Sequence, residues 1–94
     1  MTKAAMLIVL KQDLQLLTKV NDDYLNTLLD LAASAIRREG ILLKENDTEC
    51  DMAVIQYAAY LFRKRSAADT AMPRHLRWQL NNLLFSQKGA ENDV

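Results

Sequence analysis

Residues 21–38 read NDDYLNTLLDLAASAIRR, and their apolar side chains recur every three or four positions. That spacing predicts an amphipathic α-helix. Its apolar stripe comprises Leu25, Leu28, Leu29, Ala32, Ala35 and Ile36. Asn21 is suited to cap the first turn, and Gly40 is suited to the left-handed conformation that stops a helix. The sequence therefore predicts one long helix, with the acidic Asp22 and Asp23 at the positive end of its dipole.

A second helix is predicted to open at Thr48 and to end near Arg65 or Ser66. Thr48 is followed three residues later by Asp51, which matches the Ser/Thr-x-x-Asp/Glu pattern of a helix start. The apolar face of this segment is broad and includes the small residues Ala53, Ala58 and Ala59. Such a face suits a central helix that its neighbours approach closely from two sides.

A third main helix is predicted to begin at Pro73, which suits a first helical position, and to fray after Phe85. Its apolar stripe consists of Leu76, Leu80, Leu83 and Leu84. A shorter N-terminal helix is predicted over residues 9–17, with Leu17 facing inward at its end. Residues 41–44 are predicted to form a loop or a lone strand.

Length and composition agree with one small helical domain. The chain has 94 residues, of which 50% are hydrophobic, and it contains only 2 Gly and 1 Pro. These values disfavour both intrinsic disorder and a fold of many short strands. The predicted class is all-α: a small bundle of three main helices plus a short N-terminal helix, without a sheet. We expect a single domain, ordered over residues 9–86, with a flexible tail at 87–94, and so small a core favours oligomerisation.

Few residues are suited to catalysis, because the chain has a single His and a single Cys. His75 stands beside Arg74 and Arg77, which disfavour its charged form, so we expect a surface or interface residue rather than a general base. Cys50 has acidic neighbours that oppose thiolate formation, so we expect a structural role. The sequence therefore predicts a protein that is not an enzyme and uses no cofactor or metal. Since no apolar run approaches the length of a membrane span, a soluble intracellular chain is expected.

Charge is unevenly divided along the chain although its total is balanced. There are 12 Lys and Arg residues and 12 Asp and Glu residues. Residues 11–58 carry five basic and nine acidic side chains, whereas residues 59–88 carry six basic side chains and only Asp69 as an acid. The basic part is compatible with two kinds of partner: nucleic acid, through its phosphates, or a protein of complementary potential.

The aromatic residues favour the protein partner. Most of them lie in the C-terminal part of the chain: Tyr57, Tyr60, Phe62, Trp78 and Phe85. Trp78 is displaced from the leucine stripe of the third helix, so it either covers the edge of the core or anchors an interface. Tyr, Trp and Arg are the residue types that most often anchor protein interfaces.

Several segments of the chain resemble a single protein family. They are VLKQDL at 9–14, NDDYL at 21–25, VIQYAAYLFRKR at 54–65, MPR at 72–74 and LNNLL at 80–84. Over residues 9–88 the pattern resembles the small helical head–tail connector proteins of tailed bacteriophages and prophages, also called adaptor or head-completion proteins. Where that family commonly has Thr-Gly-Arg after its long helix, this chain has Arg-Arg-Glu-Gly at 37–40.

The resemblance implies a structural virion protein that is assembled in the cytoplasm of a bacterial host. Copies would form a ring beneath the portal protein at the head–tail interface and extend the DNA channel, through which DNA passes without sequence-specific binding. The ring would also present a surface to tail or stopper proteins, with no membrane involved. On this basis the residues expected at subunit or portal contacts are Arg63, Arg65, Arg74, Arg77 and Trp78.

The alternative hypothesis is a small helical DNA-binding protein. The third helix would then be the recognition helix, and Arg74, Arg77 and Gln79 would reach the bases. A helix-turn-helix needs a turn of three or four residues, often with glycine. Residues 66–72 form a longer, glycine-free connection, which disfavours this alternative.

Overall fold

A computed structural model describes the backbone of residues 1–92 and the side chains of residues 1–89. It contains four helices: α1 (Lys3–Leu14), α2 (Asp22–Arg38), α3 (Thr48–Ser66) and α4 (Arg74–Asn92). Within the described residues there is no strand, so the predicted all-α class is confirmed. None of the helices in this part of the chain combines the length and the apolar character needed to cross a membrane.

Helix α3 lies at the centre of the bundle and packs against each of the other three helices. It contributes six buried residues to the core: Cys50, Ala53, Val54, Ile55, Ala58 and Ala59. Because three of these are alanines, the neighbouring helices can approach the α3 backbone closely. The predicted central position of this helix is therefore confirmed.

The other helices complete the core with the leucine and isoleucine side chains that the spacing predicts. Helix α2 buries Leu25, Leu28, Leu29, Ala32 and Ile36, and α4 buries Leu76, Leu80 and Leu83. Gly40 follows α2 with φ at +90°, which confirms the left-handed stop. Residues 41–44 form a loop, in which Ile41 is buried.

The prediction for the N-terminal helix is wrong at both ends. Helix α1 begins at Lys3, where the side chain of Thr2 accepts a hydrogen bond from the backbone N–H of Ala5 at 3.1 Å. It ends at Leu14, because Gln15 adopts a left-handed conformation. Leu17, predicted to face inward, is 95% exposed. The early start has a physical reason, since Met6 and other apolar residues of the first turns pack against the core.

Two predicted helix caps are also corrected. Asn21 stands at the N-cap position of α2, but its side chain makes no capping hydrogen bond. Helix α3 is capped one residue before Thr48, by Asp47, whose carboxylate accepts from the backbone N–H of Cys50 at 3.2 Å. Asp51, the acidic member of the predicted start pattern, instead forms an ion pair with the N-terminal ammonium of Met1 at 2.7 Å.

Helix α4 is longer than the sequence pattern predicts. It starts immediately after Pro73, whose carbonyl accepts from the N–H groups of Leu76 and Arg77 at 3.1 Å. It continues to Asn92, so the predicted loose tail at 87–94 is helical through residue 92, and residues 93–94 lie outside the described part.

Gln87 explains the added turns of α4. Its side-chain amide donates to the carbonyl of Leu42 at 2.7 Å and accepts from the N–H of Leu42 at 2.8 Å. These two hydrogen bonds satisfy backbone groups of the α2–α3 loop and hold α4 against that loop. A polar residue thus stabilises a helical segment that has no apolar stripe of its own.

A pair of leucine substitutions tests this description of the core. Leu80→Ala should lower the free energy of unfolding by about 2–5 kcal/mol, because Leu80 is fully buried and its truncation leaves a cavity. Leu17→Ala, the control at an exposed position, should change it by less than about 0.5 kcal/mol. Urea titrations followed by circular dichroism measure both values, and similar losses for the two variants would contradict the described core.

Candidate interaction surface

The five residues predicted at an interface fall into two separate groups. Arg63 and Arg65 lie at the end of α3, near the start of α2, whereas Arg74, Arg77 and Trp78 lie in the first turns of α4. Arg65 contacts Tyr24 near the start of α2, and Arg77 pairs with Glu39 just after its end. Helix α2 has 17 residues and is about 25 Å long. The structure therefore does not bring the five residues together in a single patch.

The group at the end of α3 is bound to its own chain. A guanidinium nitrogen of Arg63 lies 3.3 Å from a carboxylate oxygen of Asp13 at the end of α1. The guanidinium of Arg65 lies over the ring of Tyr24, 4.8 Å from its centroid, which is a cation–π contact. Both contacts join the end of α3 to the neighbouring helices.

The aromatic residues of α3 form part of the same arrangement. The ring of Phe62 lies 6.4 Å from that of Tyr24, and Tyr57 contacts Tyr60 edge to face at 5.9 Å. The ammonium group of Lys64 lies 5.6 Å from the Tyr60 centroid. Since these rings are partly covered by their own chain, they contribute mainly to the stability of the bundle.

Arg77 connects α4 to the end of α2. Its guanidinium pairs with the carboxylate of Glu39 through both terminal nitrogens, and its Nε donates to the side chain of Asn81 at 3.3 Å. The hydrogen bonds that Arg77 donates to the Glu39 carboxylate raise the pKa of Arg77, so the guanidinium stays charged. Burial, followed by the charge of Glu39, raises the pKa of the nearby Tyr57 hydroxyl. Arg77 therefore has a clear structural role within the fold.

Arg74 and Trp78 differ from Arg77 because they point away from the bundle. The Trp78 side chain is 68% exposed, and Arg74, one turn earlier, is also exposed. This large exposure disfavours the first position predicted for Trp78, a cover over the edge of the core, and the second, an anchor of an interface, stays a prediction. Trp78 also forms one wall of a groove of about 470 Å³ that is lined by Glu49, Gln56, His75, Asn82 and Leu83.

Phe85 is a member of this surface that the sequence reasoning missed. It is 68% exposed and lies seven residues after Trp78, which places the two rings within about 20° of each other around the α4 axis. The seven-residue spacing of these two aromatic residues is the sequence pattern that indicates their shared side of α4. We use the name "outer face of α4" for the exposed residues opposite its leucine stripe: Arg74, Trp78, Asn81, Asn82, Phe85 and Gly89.

The two residues considered for chemistry, Cys50 and His75, differ in their exposure to solvent. Cys50 is 1% exposed, and its thiol donates to the carbonyl of Leu42 at 3.8 Å. Burial raises the pKa of this thiol, which opposes thiolate formation. His75 is exposed on the groove beside Trp78. Among the described residues, no cluster of three or more His, Cys, Asp or Glu side chains could hold a metal ion.

The outer face of α4 offers aromatic area, a cation and amide groups, which together suit contact with another macromolecule. Comparisons of the chain with protein-family models, with curated proteins and with solved structures found no match in any of the three.

A double-mutant cycle tests the structural role of Arg77. Arg77→Ala, Glu39→Ala and the double variant should give a coupling free energy of about 0.5–1 kcal/mol, because the pair is bidentate and only partly exposed. The matched cycle on Arg63 and Asp13, whose single contact is more exposed, should give less. Urea denaturation supplies the values, and a coupling near zero for Arg77 and Glu39 would contradict the assigned role.

Proposed function

We propose that this chain is a structural head–tail connector subunit of a tailed bacteriophage or prophage. Copies form a ring beneath the portal protein, extend the DNA channel and present a surface to tail or stopper proteins. The observation that carries the proposal is the outer face of α4, where Trp78 and Phe85 are both 68% exposed. The sequence resemblance over residues 9–88 gives that surface its expected partners.

A physical argument supports an assembly role for this face. Large aromatic side chains are costly to leave in water, and exposed apolar patches of this kind mark interaction sites in soluble proteins. The chain has no net charge, so copies approach one another without long-range repulsion. A protein whose task is to build a ring needs such a surface and needs no catalytic groups.

The contacts proposed from the sequence can now be divided by role. Arg74 and Trp78 are exposed on α4 and are the proposed portal or subunit contacts. Arg65 is exposed and stacks on Tyr24, so it presents a fixed cation at the other end of the bundle. Arg63 and Arg77 pair with carboxylates of their own chain, and we assign them to the fold of the subunit.

Recognition of DNA by α4 is less well supported. Of the three residues that would read bases, Arg77 is paired with Glu39, and the side chain of Gln79 donates to the carbonyl of Glu49 at 3.3 Å. The connection between α3 and α4 comprises residues 67–73, longer than a helix-turn-helix allows. We therefore expect no salt-dependent binding to duplex DNA, whereas a DNA-binding protein would lose affinity steeply as salt is raised.

The mass of the protein in solution tests the proposal. Light scattering is measured over a range of protein concentrations, with and without a purified portal protein. We expect either a ring on its own or a small species that becomes ring-sized when the portal is added. A mass that the portal does not change, together with no ring at any concentration, would contradict the proposal.

A pair of matched double variants tests which surface meets the portal. Arg74→Glu with Trp78→Ala should abolish portal binding, because it reverses a charge and removes an aromatic anchor on α4. Lys19→Glu with Leu17→Ala also reverses a positive charge and truncates an exposed apolar side chain, here in the α1–α2 loop, and should leave binding intact. Helical circular dichroism confirms that both variants are folded. Equal portal binding by the two variants would overturn this assignment. Arg77 is left unchanged because a glutamate there would face Glu39 and disturb the fold.

A further inference from the structure

A cavity of about 380 Å³ lies between helices α1, α2 and α3 and the loop that joins α2 to α3. Its inner wall is apolar and includes Leu29, Cys50 and Val54, which are each at most 5% exposed. Met6 and Leu43 add partly buried apolar area to this wall. Clefts of this volume between the helices of a bundle are a usual location of sites for small ligands.

Two of the carboxylates that line this cavity are neutralised by neighbouring cations. The carboxylate of Asp30 lies 2.8 Å from the ammonium of Lys3. The carboxylate of Asp51 lies 2.7 Å from the N-terminal ammonium of Met1. These two pairs therefore add no net charge to the cavity.

Three other charged residues line the cavity without an ion pair to another described side chain: Arg37, Lys44 and Glu45. All three are exposed to solvent. Because two of them are cations and one is a carboxylate, the cavity has an excess of one positive charge. An apolar wall beside a single uncompensated positive charge complements a ligand with an apolar body and one negative charge.

We infer that this cavity binds a small amphipathic monoanion, in which one carboxylate is attached to an apolar chain. The apolar chain covers Met6, Leu29 and Leu43 and removes them from water. The carboxylate lies against Lys44 and Arg37, whose planar guanidinium is able to donate two parallel hydrogen bonds to it. The inference goes beyond the proposed function and does not depend on it, because the described residues that line the cavity include none from the outer face of α4.

The volume of the cavity limits the size of the ligand. At about 30 Å³ for each water-sized group, 380 Å³ accommodates about a dozen non-hydrogen atoms. Decanoate has this size and is therefore a suitable probe. A ligand of so few atoms gains only a modest binding free energy, so we expect a dissociation constant of about 0.1–1 mM.

Titration of decanoate into the nitrogen-15-labelled full chain, followed by nuclear magnetic resonance, tests the site. The backbone amide signals of residues that line the cavity, such as Ala33 and Leu43, should shift and reach saturation. Decyltrimethylammonium has an apolar chain of the same length with a positive head group, and it should leave these signals unchanged. No shift at the cavity with decanoate up to about 10 mM, or equal shifts with both probes, would overturn the inference.

Two adjacent arginines provide a matched test of the charge. Arg37→Gln should raise the dissociation constant of decanoate about threefold to tenfold, because it removes a cation that lines the cavity. Arg38→Gln removes an equally charged, exposed side chain that does not line the cavity, and it should leave the constant unchanged. Equal effects of the two variants would indicate attraction by the general surface charge and would overturn the inference.

Ala33→Phe tests the location of the site. The added ring fills space in the cavity while Arg37 and Lys44 stay in place, so this variant should lose decanoate binding. Circular dichroism confirms that the variant is folded, and decanoate binding that survives in the folded variant would overturn the inference. A chain that binds decanoate in this cavity but ignores the portal would overturn only the proposed function.

Discussion

The close approach of three helices to α3 is the constraint on which the rest of the structure depends. Ala53, Ala58 and Ala59 are each at most 1% exposed, and their small side chains allow neighbours on both sides of α3. Helices α1 and α2 also pack against each other, but α4 packs chiefly on α3 and the adjoining loop. Because α4 is attached to the bundle along one side, its opposite side stays exposed to solvent. The exposure of the outer face of α4 is therefore a direct consequence of the way the core is built.

Positive charge contributes less to the outer face of α4 than the excess of basic residues in the C-terminal part of the chain predicts. Two of the basic residues in the C-terminal part, Arg63 and Arg77, pair with carboxylates that precede them by 50 and 38 positions. These ion pairs connect helix ends and reduce the positive charge available to a partner. What distinguishes the outer face of α4 is instead its aromatic content.

Much of the fold can be predicted from local patterns, because regular apolar spacing reports the buried side of a helix directly. The bounds of α2 and the stop at Gly40 follow from such patterns. The end of α4 cannot be predicted from such a pattern, because Gln87 stabilises it through hydrogen bonds to Leu42, a residue 45 positions away. The position of Trp78 outside the core was predictable from the leucine stripe. The roles of Arg63 and Arg77 could not be predicted, because a sequence does not show which arginines are paired with a carboxylate and which are free at the surface.

Trp78 is the only tryptophan of the chain, so its fluorescence reports on the outer face of α4 without labelling. The most direct test is acrylamide quenching of this fluorescence in dilute protein, in concentrated protein and after addition of the portal. The account predicts strong quenching and long-wavelength emission in the dilute chain, where the indole is exposed to water. It further predicts weaker quenching and shorter-wavelength emission once the outer face of α4 is covered by either partner. Quenching that stays equally strong under all three conditions would contradict the assignment of this face to assembly.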